Sequence, residues 1–249
     1  MKRLLAICTT FRRPHELPQM LDTYYATRGL DDDGDMFVYL HNDDPKLGDY
    51  LSKIGHYTST YNMLYVVDKH RCMQEVLNHT CLERYPDYEY YQIITDDARY
   101  ITPNWDLILL NEFEKRSNGW GFICGDDRLN DNWFAWRHPS MEIWSRKQAQ
   151  LVGFAYPRTV KHRGQDSYTK ELCDGLGICP LVPEVIIRHL QGMLCANPDE
   201  NLAFINSREA EVESLAGLTL WRNEEQARQI ALIKTAWEKE LQGEHSSAL

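Results

Sequence analysis

Residues 88–97 read YEYYQIITDD, an aromatic and β-branched run that ends on two adjacent carboxylates, Asp96 and Asp97. A free aspartate titrates near ~3.9, so both are ionised at neutral pH. Side by side without a counter-charge, each opposes the ionisation of the other. A divalent cation removes that conflict. Mg²⁺ or Mn²⁺ prefers oxygen ligands and often takes only one or two protein carboxylates together with substrate phosphates. The plainer reading is a solvated Asp-Asp turn after a strand. Further Asp-Asp pairs stand at 31–33, 43–44 and 126–127, so the dipeptide alone is not distinctive.

Other residues could share a site with this pair. Arg13 in FRRP and Arg71 in DKHR carry guanidinium groups suited to phosphate; the alternative for each is a surface arginine. Trp133, Trp136 and Trp144 crowd around RHP at 137–139, which includes His138. Indole faces stack on sugars and bases, so Trp136, His138 and Trp144 are candidates for an acceptor platform. Core packing or an oligomer contact is the competing explanation.

Positioning such residues requires alternating strands and helices. RLLAICTT (3–10), DMFVYLHNDDP (35–45), MLYVVD (63–68), the YEYYQIITDD stretch, GWGFICG (119–125) and PEVIIRHL (183–190) read as strands. Leu17, Met20, Leu21 and Tyr24 recur at helical spacing after Pro14, with Gly29 as a stop and Pro18 tolerated in the first turn. Helices are also expected over 69–85, over WDLILLNEFEKR and over NEEQARQIALIKTAWEKELQG, the last capped by Asn223 with Ile230, Ile233, Trp237 and Leu241 as its apolar stripe. The alternation predicts an α/β sheet, parallel at its centre. Ligands of such sheets bind beyond the carboxyl ends of the strands, where TTFRRP, HNDDP and TDDARY would share one rim.

The chain has 249 residues, 43% hydrophobic and 26% charged, which suits a globular protein with a real core. No stretch approaches the ~20 apolar residues of a membrane span. The apolar run near the start is too short for a signal peptide. Seven cysteines without a CxxC pair suggest reduced thiols in a cytoplasmic protein and give no spacing for a cysteine-based zinc site. A net charge of −10 weighs against a general nucleic-acid binder. Local basic islands in an acidic chain suit a small anionic ligand such as a nucleotide.

The order of these segments resembles the GT-A fold nucleotide-sugar glycosyltransferases. TDDARYITPNWD is similar to the DxD-type site of that family and its downstream segment. LLAICTTFRRPHELPQMLDTYY resembles the opening strand, Thr/Arg-Pro loop and first helix, and MFVYLHNDDP the second strand with its terminal acid. SMEIWSRKQAQLVGFAYP resembles the segment after the sugar site, GQDSYTKEL the motif that supplies the base in inverting members, and VIIRHLQG a late strand ending in a metal-coordinating histidine. The resemblance covers residues 3–192 and implies a Rossmann-like GT-A domain with a central, mostly parallel sheet flanked by helices. Its donor half would be about 1–100, its acceptor half about 101–192, and 193–249 would form a helical extension packed on it.

For single residues the resemblance implies Asp97 and His189 as ligands of Mn²⁺ or Mg²⁺. It implies Thr9, Thr10, Arg13, Arg71, Asp96 and either Asp43 or Asp44 as contacts to the donor, with a UDP-sugar as first choice. Asp166 would be the catalytic base of an inverting transfer, or simply a helix N-cap. Two departures stand out: Thr95 occupies the place of a first acid, and Gln165 stands where glutamate is common. The acceptor is a hydroxyl on a glycan or lipid-linked sugar, or alternatively on a hydroxymethylated pyrimidine in DNA, as in phage-type transferases. A nucleotidyltransferase ranks lower, because TTFRRP lacks the glycine-rich loop. A transferase-like binding module without activity is the non-enzymatic alternative.

Overall fold

The computed structural model describes residues 2–69, 71–128, 140–160, 164–190 and 208–242. Trp133, Trp136, His138, Cys195 and the basic stretch 161–163 lie outside the described residues.

Five strands form the main sheet in the order β3 (Leu64–Asp68), β2 (Gly34–His41), β1 (Leu4–Thr10), β4 (Tyr90–Thr95) and β7 (Ile143–Ser145). The first four run parallel and β7 is antiparallel to β4. β1 is central, and its burial on both faces explains the uninterrupted apolar run LLAIC. Alternate residues serve opposite layers. Leu4, Ala6 and Cys8 join Met36, Val38 and Leu40 under the helices α1 (Glu16–Thr27), α2 (Leu47–Tyr61) and α4 (Trp105–Ser117). Leu5 and Ile7 join Phe37, Tyr39 and Tyr91 under α3 (Met73–His79), α5 (Arg146–Val152), α6 (Gln165–Leu176) and the C-terminal helices α7 (Arg208–Glu224) and α8 (Gln226–Leu241).

A second, three-stranded sheet runs β5 (Ala98–Tyr100), β8 (Leu181–His189), β6 (Cys124–Asp126). β8 is antiparallel to β5 and parallel to β6. A bridge between Ile123 and Ile143 ties this sheet to β7. The late strand therefore ends beside the segment that follows β4.

Several elements differ from the sequence expectation. α2 sits in a polar stretch with two glycines, yet Tyr50, Ile54 and Tyr57 bury one narrow face. The segment expected as one helix over 69–85 begins only at Met73, where Glu75 accepts from the Cys72 N–H, and its last turn widens into a π-turn over Thr80–Arg84. Asn223 is not a cap: it lies in the last turn of α7, and α8 starts at Gln226. Leu241 is 70% exposed, so the apolar stripe of α8 ends before it. Among the described residues the cysteines are free thiols, and no helix is long and apolar enough to cross a membrane.

Candidate metal and donor site

Four strands of the parallel sheet end on one rim, and the chemistry gathers there. Asp96 and Asp97 occupy the turn between β4 and β5, and they are 0% and 2% exposed. Two buried carboxylates need compensation. Arg13, from the β1–α1 loop, supplies it: its Nη2 stands 2.5 Å from Asp96 Oδ1 and its Nη1 3.0 Å from Asp97 Oδ2.

The two aspartates nevertheless differ. Asp96 turns inward, and its Oδ2 accepts from Thr10 Oγ1 at 2.5 Å. Burial pushes its carboxyl up to about 6, against the pull of Arg13. Asp97 faces β8. Its Oδ1 makes no hydrogen bond of good geometry and has His189 Nε2 3.3 Å away. Burial raises the Asp97 carboxyl, but the His189 imidazole and the Arg13 guanidinium outweigh it and hold the group below the usual carboxylate range.

His189 reaches Asp97 through backbone pairing. Ala98 pairs with His189 across β5–β8, and the Leu190 N–H donates to the Asp97 carbonyl at 3.1 Å. On its other side the His189 N–H donates to the carbonyl of Asp127, just past β6. The histidine is thus held between two strand ends.

This pair fits a divalent cation. Cis ligands of an octahedral ion bonded at ~2.1 Å stand about 3 Å apart, close to the Asp97–His189 spacing. Asp97 Oδ1 is a buried oxygen with no hydrogen bond of good geometry, only the His189 Nε2 nearby, and an ion would satisfy it. Among the described residues no three His, Cys, Asp or Glu side chains converge as a metal cage. A two-ligand arrangement suits Mg²⁺ or Mn²⁺ bound together with substrate phosphates.

The β1–α1 loop is held by the expected Thr10 and Asp44 and by Tyr50, which the sequence did not flag. Arg12 has left-handed backbone (φ 61°), and its N–H donates to Asp44 Oδ2 at 2.6 Å. Asp44 Oδ1 takes the Lys46 N–H at 2.8 Å, so Asp44 is a buried organiser of two turns, whereas Asp43 is exposed on the rim. Tyr50 Oη accepts the Arg13 N–H and lies 2.7 Å from Thr10 Oγ1. Since Thr10 donates to Asp96, the phenol donates to Thr10. A hydroxyl chain therefore links α2, β1 and Asp96. Thr10 serves this chain rather than facing the open rim, where the half-buried Thr9 stands.

Arg71 lines a cleft of about 330 Å³ together with Gln74, Asn78 and Arg158. Its Nε is buried without an acceptor, and Asp68 stands 3.7 Å from its Nη2. Asp166 lies in the first turn of α6, but it is not the cap: Gly164, in left-handed conformation (φ +89°), caps that helix. Asp166 neighbours a different carboxylate, Glu142, which sequence reasoning missed although an acid inside SMEIWS was a visible anomaly.

Trp144 corrects an expectation. It is fully buried in β7 against Tyr91, Tyr156 and Phe122, so its indole presents no stacking face to an acceptor. An apolar strand facing a helical layer demands a large side chain there, and tryptophan fills that space.

No family model matches the chain, and no curated protein sequence matches it. Solved structures do. A mannosyltransferase, PcManGT from Pyrobaculum calidifontis in complex with GDP-Man and Mn²⁺, superposes with a TM-score of 0.60 at 14% identity, over 96% of this chain and 80% of that one. Residues 1–349 of S. aureus TarS superpose with a TM-score of 0.56 at 10% identity, over 98% and 93% of the two chains. A 4-diphosphocytidyl-2C-methyl-D-erythritol synthase from Anaerococcus prevotii DSM 20548 also matches, with a TM-score of 0.52 at 11% identity, over 84% and 96%. The superpositions on the two transferases span nearly the whole chain, and its mostly parallel sheet carries helices on both faces: the chain has the GT-A fold seen in nucleotide-sugar glycosyltransferases.

Proposed function

We propose that the protein is a metal-dependent glycosyltransferase, moving a sugar from a nucleotide-sugar donor to a hydroxyl acceptor with inversion at the anomeric carbon. The observation that carries this reading is the Asp97–His189 pair, 3.3 Å apart at the carboxyl ends of the sheet. Mn²⁺ or Mg²⁺ held by Asp97 and His189 would supply positive charge where the leaving diphosphate develops negative charge. The presence of GDP-Man and Mn²⁺ in one fold relative, and of UDP and UDP-GlcNAc in complexes of another, supports the donor class.

The residues divide the work. Arg13 neutralises Asp96, so the buried pair carries less net charge toward the donor. Asp96, Thr10 and Tyr50 hold the loop, while Asp97 keeps one oxygen for the ligand. Thr9, Asp43 and Arg71 stand on or beside the same rim and contact the nucleotide. Asp166 takes the proton of the acceptor hydroxyl as its oxygen attacks the anomeric carbon. The bond from that carbon to the donor phosphate oxygen breaks, and a nucleoside diphosphate leaves.

Nucleotidyl transfer is the competing chemistry, because one fold relative is a diphosphocytidyl synthase. The β1–α1 loop argues against it here. That loop has no glycine, and its backbone N–H groups at Arg12 and Arg13 already donate to Asp44 and Tyr50, so neither is available to cradle a triphosphate. A product assay separates the two. Glycosyl transfer releases UDP or GDP from the matching nucleotide sugar in the presence of Mn²⁺. Pyrophosphate release from a nucleoside triphosphate plus a sugar phosphate, without nucleoside diphosphate, overturns the proposal.

A further inference from the structure

Glu142 takes no part in the strand-end site, yet it is a carboxylate only 2% exposed. It follows Met141, whose backbone is left-handed (φ 54°), and immediately precedes β7. Its Oε1 accepts two hydrogen bonds, from Tyr156 Oη at 2.6 Å and from Thr169 Oγ1 at 2.9 Å. Tyr156 is itself fixed: Asn78 of α3 accepts its N–H and donates to its carbonyl. Thr169 lies one helical turn beyond Asp166, on the same face of α6. A single buried oxygen therefore ties the helix that carries Asp166 to β7 and to α3.

The opposite side of α6 is held independently. Tyr168 meets the Trp221 ring edge-on with centroids 4.8 Å apart, and Arg222 Nε pairs with Glu171 at 2.8 Å. The helix is clamped between Glu142 inside and the C-terminal helices outside.

We propose that Glu142 is a positioning residue for Asp166: through Thr169 and Tyr156 it ties the first turns of α6, which carry Asp166, to β7 and α3. This rests on the reading of Asp166 as the base. The groups that face Glu142 are Tyr156 from the loop, Asp166, Thr169 and Cys173 from α6, and Cys124 from β6. Among the described residues it makes no ion pair. Burial pushes its carboxyl up to about 7, the Tyr156 and Thr169 hydroxyls oppose that rise, and the negative charge of Asp166 adds to it. Glu142 consequently changes charge near neutral pH beside the base.

Two measurements test this. Carbon-detected NMR of labelled glutamate follows the Glu142 titration in the wild type and in Asp166→Asn, without substrate. The midpoint is expected to fall in the variant, and identical midpoints would mean that Asp166 is not held beside Glu142 and overturn the positioning role. Kinetics tests positioning. Glu142→Ala and Thr169→Val should each lower kcat by ~10-fold or more while the donor KM stays within about twofold, because the base is displaced and the donor site is not. Glu142→Gln, which keeps the acceptor oxygen, should recover most of that loss with a displaced pH profile. Where Glu142→Ala fails to fold, Thr169→Val reads the same contact from the helix side. Unchanged kcat in Thr169→Val, or equal loss in kcat and donor affinity, sinks the positioning role. A wild type that turns over no nucleotide sugar would remove the assignment of Asp166 as base, and the NMR titration would still decide whether Glu142 holds the Asp166 turn of α6 beside it.

Discussion

Asp97 Oδ1 and His189 Nε2 lie 3.3 Å apart, although one stands in the turn between β4 and β5 and the other ends β8, far along the chain. The antiparallel pairing of β5 with β8 creates this proximity, by placing His189 opposite Ala98. The sequence resemblance marks each residue as a metal ligand, but not their contact. Their meeting is a property of the sheet.

If this pair holds the cation, removing either ligand should remove metal dependence. Asp97→Asn and His189→Ala are expected to lower kcat/KM by about 10²–10³-fold, in keeping with the loss of transition-state charge stabilisation. Mn²⁺ titrations followed by electron paramagnetic resonance, with UDP or GDP present, should show weakened binding in both. Wild-type Mn²⁺ affinity in either variant would contradict the ligand assignment.

Tyr50 offers a separate test of the loop. Tyr50→Phe deletes the acceptor of the Arg13 N–H and the donor to Thr10. Leaving a buried N–H unsatisfied costs about 1–3 kcal/mol. We expect a lower Tm and a raised donor KM, with the base on α6 untouched. Calorimetry and initial-rate kinetics on the same preparation check both.

Stability should respond to pH in a defined direction. Asp96 and Glu142 are pushed up to about 6 and about 7 when folded, above their unfolded values. Each binds more proton in the native state over that interval. Their contribution is fully present below the unfolded carboxylate range and is lost as pH rises through the folded values. Asp97, held below the usual range, behaves oppositely and loses its contribution as pH falls into strong acid. Glu142→Gln should therefore gain on the wild type between about pH 5 and pH 8, by at most on the order of 3 kcal/mol. Urea midpoints at the two pH values measure it, and parallel profiles would exclude the effect.

The C-terminal helices make a steric prediction. A Cβ at Gly217 would sit 1.7 Å from the Thr159 carbonyl oxygen, and one at Gly175 would meet Ile230 Cδ1 at 2.3 Å. Backbone cannot yield as a side chain can, so Gly217→Ala should destabilise more than Gly175→Ala, by at least ~2 kcal/mol. Chemical denaturation of the two variants compares them directly.

Much of the architecture was legible from local pattern. LLAIC, MFVYL and YYQII advertise strands buried on both faces, because a central parallel strand has no polar side to show. The charged strand ends were legible as residue types, but not their burial: Asp44, Asp96 and Asp97 are covered by groups from other segments. Helix α2 was not legible: Tyr50, Ile54 and Tyr57 are too few among polar residues to signal a period, and packing alone selects their face. Trp144 was misread because composition does not say which side of a strand faces the core.

By itself, the sequence determined that an α/β sheet would end in carboxylates, threonines and arginines, for these depend on neighbours along the chain. The resemblance assigned the metal to Asp97, but only the tertiary structure supplies a physical reason for the division between the two carboxylates. Asp96 and Asp97 are adjacent, chemically identical and share Arg13, yet one accepts from Thr10 and the other turns its second oxygen toward His189. The two sit in the turn between β4 and β5, and the partners that distinguish them, Thr10 and His189, come from distant segments. That difference in surroundings, rather than any difference in residue type, makes Asp97 the candidate ligand and Asp96 its support.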